Sequence, residues 1–327
     1  MYVPKISYEH YLAKYLIQKE IGEGGYGKIH SAIERNSGKP VVIKEVHTTK
    51  SRSSSGESNR DSVPREVLVM GILSSTPGVV KIIEYVRKTA SYIIIMHPIL
   101  PTSFLQPRKN LQPVTDLYKR TQSLGPPTEG EAKDILKQLL NIIKRIRRLG
   151  IYHRDIKEEN IIIDNHTNKI TLIDFGCAAL MSRNCKYIKF RGTLTHAPPE
   201  WFTKGSYKEE EQTVWSIGIT LYTLLLSKLP FESEEETKRA KLRFPQRPKI
   251  TTEARNLIEQ CLRPQEKHRI TLEGIMSHQW LSQVKPLRKR RHSDTIIAIT
   301  SPSLMKYVKN DQQTQKQQQN QSKKGIQ

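Results

Sequence analysis

The 327-residue sequence has only three cysteines, Cys177, Cys185 and Cys261. They are too few and too scattered for a disulfide framework or a four-ligand zinc site, and they suit a reducing compartment. No long apolar run is present. The best candidate, 215–226, is broken by Ser216, Gly218, Thr220 and Thr223, so it falls short of the roughly 18 apolar residues of a membrane span. The opening Met1-Tyr2-Val3-Pro4-Lys5 lacks the basic-then-apolar order of a secretory leader. Acids are scarce: 32 Asp and Glu face 54 Lys and Arg, a net charge of +22. What is present is still enough apolar residue, 36%, for a normal core, which excludes global disorder. The length fits two domains or lobes. A soluble, intracellular, basic protein is expected. Its charge points to an anionic partner: nucleic acid, a phosphate ligand or a membrane surface.

The final segment, 282–327, carries ten Lys and Arg against two acids, Asp294 and Asp311, and a Gln-rich run over 312–321. Such a composition buries too little apolar surface to offset its ordering entropy, so disorder is expected there. A Ser- and charge-rich stretch over 51–62 and a stretch with four prolines over 98–113 read as loops. The first part of the chain reads as an antiparallel meander, with strands over 15–21, 28–34 and 41–43, then 79–86 and 92–96. A short helix over 67–73 follows Pro64, which suits a first helical turn. The later part reads as helices. Thr128-Glu129-Gly130-Glu131 is a capping box. Ile135, Leu136, Leu139, Leu140, Ile142, Ile143 and Ile146 form an apolar face behind it. Short strands over 161–164 and 170–173 come next. An apolar helix ending near Leu226 and amphipathic helices around 251–262 and 271–281 complete the chain. The fold class is α+β, in two lobes.

The motifs carry chemistry only jointly. Gly22-Glu23-Gly24-Gly25-Tyr26-Gly27 contains Gly-x-Gly-x-x-Gly, but a strand follows it rather than the helix of a dinucleotide site. Glycines between antiparallel strands make a flap whose backbone N–H groups can close over phosphates. Lys44 ends the apolar Val41-Val42-Ile43, where a cation is costly unless paired. Glu66, on the short helix, is its expected partner. His153-Arg154-Asp155-Ile156-Lys157-Glu158-Glu159-Asn160 lies between the capped helix and a strand, with Asp174-Phe175-Gly176 nineteen residues after Asp155. Such a set supplies a carboxylate to accept a hydroxyl proton and a lysine to offset phosphoryl charge. An amide and a second carboxylate can hold Mg2+, which takes oxygen ligands.

The order of these motifs, closed by Pro198-Pro199-Glu200, resembles the eukaryotic protein kinases over residues 8–281. Within them the sequence is most similar to the Pim family of serine/threonine kinases. The matching stretches are Val63-Pro64-Arg65-Glu66-Val67, 155–164, Leu172-Ile173-Asp174-Phe175-Gly176, Pro198-Pro199-Glu200-Trp201 and Val214-Trp215-Ser216-Ile217-Gly218. Thr213 stands where most kinases have Asp, as in that family. The resemblance implies a β-sheet N-lobe (about 8–97) with one helix, a hinge with an insertion (about 97–114) and a mainly helical C-lobe (about 114–281). It implies ATP and Mg2+ as cofactors. Asp155 becomes the catalytic base and Lys157 the phosphate-contacting lysine. Asn160 and Asp174 become metal ligands, Lys44 and Glu66 the N-lobe pair, and Glu200 the partner of Arg269. The ATP site would comprise Ile21, Gly22, Glu23, Gly24, Gly25, Tyr26, Gly27, Ile29, Val42, Lys44, Glu66, Asp174 and Met96, the last at the gatekeeper position. Val42 replaces the usual Ala and should tighten the adenine pocket. Pro98 and Pro101 are both placed to be the hinge proline of that family.

Asp116, Glu158 and Glu159 form the expected recognition set for arginine upstream of the phosphorylated Ser or Thr. Arg288-Lys289-Arg290-Arg291-His292-Ser293 contains such a motif, which makes Ser293 a candidate autophosphorylation site. The same run reads as a nuclear-import signal or an anionic-surface tether. The 177–191 segment offers only Ser182 and Tyr187 as hydroxyl acceptors, and the resemblance implies activity without phosphorylation there. A cytoplasmic monomer acting on basic protein substrates is expected, with the nucleus as a second address and no nucleic-acid partner. The alternatives are a pseudokinase scaffold or a basic nucleic-acid-associated protein.

Overall fold

The computed structural model describes residues 2–24, 27–47, 63–100, 112–180 and 186–282. The expected loop 51–62, residues 101–111 of the proline-rich stretch over 98–113, Ser182, Cys185, Ser293 and the basic tail lie outside the described residues. The described part is a sheet-rich N-lobe followed by a helical C-lobe.

Six strands form the N-lobe sheet: β1 (Lys5–Ile6), β2 (Tyr15–Gly24), β3 (Gly27–Glu34), β4 (Pro40–His47), β5 (Ile82–Arg87) and β6 (Ser91–Met96). Their order is β1-β5-β6-β4-β3-β2. The expected antiparallel meander over β2, β3 and β4 is present, and β1, which the sequence did not mark, runs parallel to β5. Side chains alternate between the two faces of a strand. Val41, Ile43, Ile93 and Ile95 therefore share one face, where they pack with Tyr11 and Tyr15 into a small separate core. Helix α1 (Tyr8–Lys14), capped by Ser7, closes that face. Beneath it Glu84 accepts hydrogen bonds from Lys14 (3.0 Å) and Tyr15 (2.7 Å). The opposite face carries Val42, Lys44, Ile94 and Met96. Against it lies α2 (Arg65–Ile72), through Val67 and Met70. The alternation thus aims Lys44 into the cleft between the lobes.

The C-lobe opens with β7 (Val114–Asp116) and α3 (Leu117–Leu124). Helix α4 (Glu129–Arg148) begins at the expected capping box: Thr128 and Glu131 exchange hydrogen bonds. Its buried face holds the expected Ile and Leu residues, and Arg145, Arg147 and Arg148 occupy its last turn, where cations oppose the helix dipole. Strands β8 (Ile151–Tyr152), β9 (Ile161–Asp164), β10 (Ile170–Leu172) and β11 (Ala179–Leu180) follow. They pair as β10-β9-β7 and β11-β8, and this small scaffold brackets the loops on either side of Asp155 and Asp174. Then come α5 (Pro199–Lys204), α6 (Glu209–Leu226), α7 (Glu234–Arg239) and α8 (Thr252–Cys261). Helix α6 is buried on nearly every side and forms the axis of the lobe. The expected single helix over 271–281 is two, α9 (Leu272–Ser277) and α10 (Gln279–Ser282). The break falls at His278, whose ψ of 139° is extended.

Arg269 and Glu200 lock α5 to the end of the domain. Two parallel hydrogen bonds of 2.9 Å join them, and both side chains are buried. Arg269 also donates to Glu211 O at 2.7 Å and lies over the Trp215 ring. Removing one member leaves an uncompensated buried charge. Arg269→Ala should therefore cost about 3–5 kcal/mol in urea unfolding. A loss below about 1 kcal/mol, as for an exposed pair, would contradict this placement.

Candidate active site

Lys44 sits at the centre of the cleft. Its Nζ lies 2.7 Å from Glu66 Oε1 and 2.7 Å from Asp174 Oδ1. Each element contributes for a local reason. Lys44 follows a buried β-branched run on β4. Glu66 lies in the first turn of α2, where an anion suits the helix dipole. Asp174 adopts a left-handed backbone (φ 59°) just past β10. Its Oδ1 also accepts from Gly176 N at 3.1 Å. Tyr92 OH donates to Glu66 Oε2 at 3.1 Å, a partner the sequence did not single out. Burial pulls the Lys44 ammonium down, but Glu66 and Asp174 more than reverse it, so its pKa stands above the ordinary value. Burial pushes Glu66 up against the opposing pull of Lys44. Burial also raises Asp174, yet Lys44 outweighs it and the carboxyl ends below its ordinary range.

The loop around Asp155 forms a second cluster. Asn160 Nδ2 donates to Asp155 O (2.8 Å) and to Oδ2 (2.9 Å). Thr193 donates to Oδ1 from both its backbone N–H and its hydroxyl, each at 2.8 Å. Lys157 Nζ is 3.8 Å from Asp155 Oδ2 and donates to Thr193 Oγ1 at 2.8 Å. His153 anchors this loop from below. Asp155 N–H donates to its Nδ1, so Nε2 carries the proton donated to Ile173 O at 2.9 Å. Burial lowers the His153 pKa, consistent with a neutral ring packed edge-on to Phe175 at 4.9 Å. Gly192 is a further functional position. A Cβ there would sit 2.6 Å from Arg154 O, at a φ of 135°. In the sequence the Gly192-Thr193 pair before Pro198-Pro199-Glu200 already marks both, as a loop that suits Ser/Thr rather than Tyr substrates.

The roof is the β2–β3 hairpin. Gly22 pairs with Ile29, Glu23 with Lys28 and Gly24 with Gly27. Gly25 and Tyr26, at the tip, lie outside the described residues. Ile21 is exposed and Ile29 half-buried. A Cβ on Gly27 would fall 1.7 Å from Glu45 O of β4, so no side chain fits without parting β3 from β4. Gly27→Ala should raise the KM for ATP about tenfold or more, since parting the start of β3 from β4 displaces the hairpin that roofs the cleft. An unchanged KM would contradict a closed β3–β4 register at this point. Met96 pairs across from Val42, so both face the cleft beside Lys44. After Met96, His97 N–H donates to Lys81 O at 2.9 Å and Pro98 follows. Pro101, the other hinge candidate, lies outside the described residues.

The expected recognition set is corrected at one member, Glu158. Glu158 is buried, and burial pushes its carboxyl up to about 7. It faces Thr223 of α6, not solvent. Asp116 is engaged as the N-cap of α3: its Oδ1 accepts from Lys119 N at 2.7 Å and its Oδ2 lies 3.2 Å from Lys119 Nζ. Glu159 alone of the three is exposed.

The residues also fit a divalent cation of the Mg2+ type. Asn160 spends its amide N–H groups on Asp155, which turns its carbonyl oxygen away as a hard donor. Asp174 uses Oδ1 for Lys44 and Gly176, which leaves Oδ2 as a second. No group of three or more His, Cys, Asp or Glu among the described residues could hold a metal by itself, so phosphate and water oxygens would complete the shell.

A two-lobed fold with a paired lysine above and a hydrogen-bonded Asp, Lys and Asn loop below defines a nucleotide-dependent phosphotransferase. Residues 15–281 match the protein kinase domain family. The chain belongs to the eukaryotic protein kinases, among the serine/threonine-protein kinases. It is 31% identical to serine/threonine-protein kinase pim-2 of Danio rerio, covering 84% of this chain and 87% of that protein. It is 29% identical to serine/threonine-protein kinase prk-2 of Caenorhabditis elegans and 30% identical to ppk6 of Schizosaccharomyces pombe. Those matches cover 82% and 85% of this chain but span only 58% and 34% of the relatives' own lengths. No helix of the described residues is long and apolar enough to cross a membrane.

Proposed function

We propose that the chain transfers the γ-phosphate of ATP to Ser or Thr hydroxyls of protein substrates. The observation that carries this reading is Lys44 bridging Glu66 and Asp174 at 2.7 Å each. Such a bridge fixes a cation where phosphate oxygens would enter and needs both α2 and the Asp-Phe-Gly turn in position. Asp155 accepts the hydroxyl proton as its oxygen attacks. Thr193 and Asn160, which hold both carboxylate oxygens, fix its direction. A positioned base of this kind contributes about 10²–10⁴ in rate. Lys157, beside it, offsets charge on the transferred group. Asn160 and Asp174 would hold Mg2+, which would neutralise phosphate charge. Met96 and Val42 would border the adenine, with the glycine hairpin, Ile21 and Ile29 above.

The preference for arginine upstream of the acceptor is part of the same proposal, its support narrowed to exposed Glu159 and the family resemblance. A positional peptide library with Mg-ATP tests it: enrichment of Arg before the acceptor is expected, and a flat profile contradicts it. Ser293 is proposed as an autophosphorylation site on its sequence alone. An unmodified Ser293 after prolonged incubation of active enzyme with ATP would remove it. Activity without phosphorylation of the 177–191 segment is also proposed, and a phosphatase-treated sample should keep its rate.

A further inference from the structure

Arg154 and Glu209 are both buried, at 4% and 5% exposure. Arg154 precedes Asp155 and holds a left-handed backbone (φ 67°). Its Nε donates to Cys177 O at 2.7 Å, and its guanidinium lies 5.2 Å from the centre of the Tyr187 ring. Its Nη2 has no hydrogen-bond partner. Glu209 opens α6, and its Oε1 likewise has no partner. Burial raises the Glu209 carboxyl to about 7, while a hydrogen bond with Tyr187 and the charge of Arg154 draw it back. A buried orphan donor and a buried orphan acceptor thus flank Tyr187. Each alone would cost the full desolvation of its group.

The neighbouring acids are accounted for elsewhere. Glu210 pairs with Arg147, and Glu211 with Lys208 at 3.7 Å. Glu209 alone of the three turns inward. The Tyr187 segment is also strapped by backbone. Tyr187 N–H donates to Tyr207 O at 2.8 Å and Tyr207 N–H returns to Tyr187 O at 3.1 Å. Their rings pack 5.8 Å apart. A continuous path therefore runs from the start of α6, through Tyr187, to Arg154 and the Asp155 loop.

We propose that the inward-facing Glu209 carboxyl, held by Tyr187 and drawn toward Arg154, clamps the Tyr187 segment onto the catalytic loop. It is a positioning residue, acting on Asp155 through Arg154. Resting on the kinase reading above, this supplies a physical basis for an assembled site with no phosphate on that segment.

The test uses the full chain, phosphatase-treated, as wild type, Glu209→Gln, Glu209→Asp and Tyr187→Phe. Peptide kinetics and amide hydrogen exchange over 186–192 are read on each. Glu209→Gln should lower kcat about tenfold or more with little change in the KM for ATP. Exchange over 186–192 should quicken about tenfold, and Glu209→Asp should recover part of both. Wild-type kcat and wild-type exchange in Glu209→Gln would overturn the proposal. A parallel rise in KM, which marks general damage, would also overturn it. If the wild type transfers no phosphate, the kinase reading fails, and the exchange comparison still decides whether the clamp exists. Should Glu209→Gln not fold, Tyr187→Phe removes only the hydroxyl held by the carboxylate, and unchanged exchange there overturns the clamp.

Discussion

Asp155→Asn should lower kcat on a Ser-containing peptide by about 10³-fold. The substitution keeps size and shape. Its side-chain oxygen can still accept from Thr193, whose N–H and hydroxyl both point at Oδ1 at 2.8 Å. What it loses is the capacity to take a proton. It also sets an amide N–H against Asn160 Nδ2, which now donates to Oδ2 at 2.9 Å. That local conflict costs about 1–3 kcal/mol, too little to unfold a domain of this size. ATP binding, followed by nucleotide-induced thermal shift, should persist. A variant within tenfold of the native kcat would remove Asp155 from the role of base.

Lys44→Met should abolish phosphate transfer and also destabilise the fold. Lys44 is the cation between two carboxylates, and Glu66 is buried. Removing one partner of a buried pair costs about 3–5 kcal/mol, because the remaining charge is uncompensated. The loss should depend on pH. Burial already raises the Glu66 carboxyl, and without Lys44 nothing comparable opposes it. A carboxyl whose folded pKa lies above its unfolded value penalises the folded state once pH exceeds that unfolded value. The variant's deficit against wild type should therefore shrink as pH falls from neutral toward 5. A deficit that grows on acidification would contradict the buried pair.

Much of this site was legible in the sequence because its residues are forced by chemistry at fixed spacing. A lysine closing a β-branched strand needs an anion, and the short helix after Pro64 offered Glu66. The Asp, Lys and Asn loop and the Asp-Phe-Gly turn are each local, so their geometry follows from a few residues. The capping box of α4 is local in the same sense. What the sequence hid depends on tertiary neighbours. Helix α1 has seven residues and β1 two, too short for periodicity to show, and both exist because Tyr11 and Tyr15 cover one face of the sheet. Glu158 reads as a surface acid until α6 packs over it. Asp116 reads as a free carboxylate until α3 begins at the next residue. The clamp at Glu209 unites three distant stretches, and no local pattern distinguishes it from Glu210 and Glu211. Part of the positive surplus is now placed. Arg239, Lys241, Arg243, Arg247 and Lys249 are exposed, with no acid between Arg239 and Thr252.

Lys44, Glu66, Asp155, Asn160 and Asp174 together make up the proposed phosphotransfer site. Incubating the purified full chain with γ-labelled ATP, Mg2+ and a basic Ser/Thr peptide tests it most directly. Label is expected on a Ser or Thr hydroxyl of the peptide, lost in Asp155→Asn and on chelation of the metal. No label from wild type, or label that persists in Asp155→Asn, would contradict it.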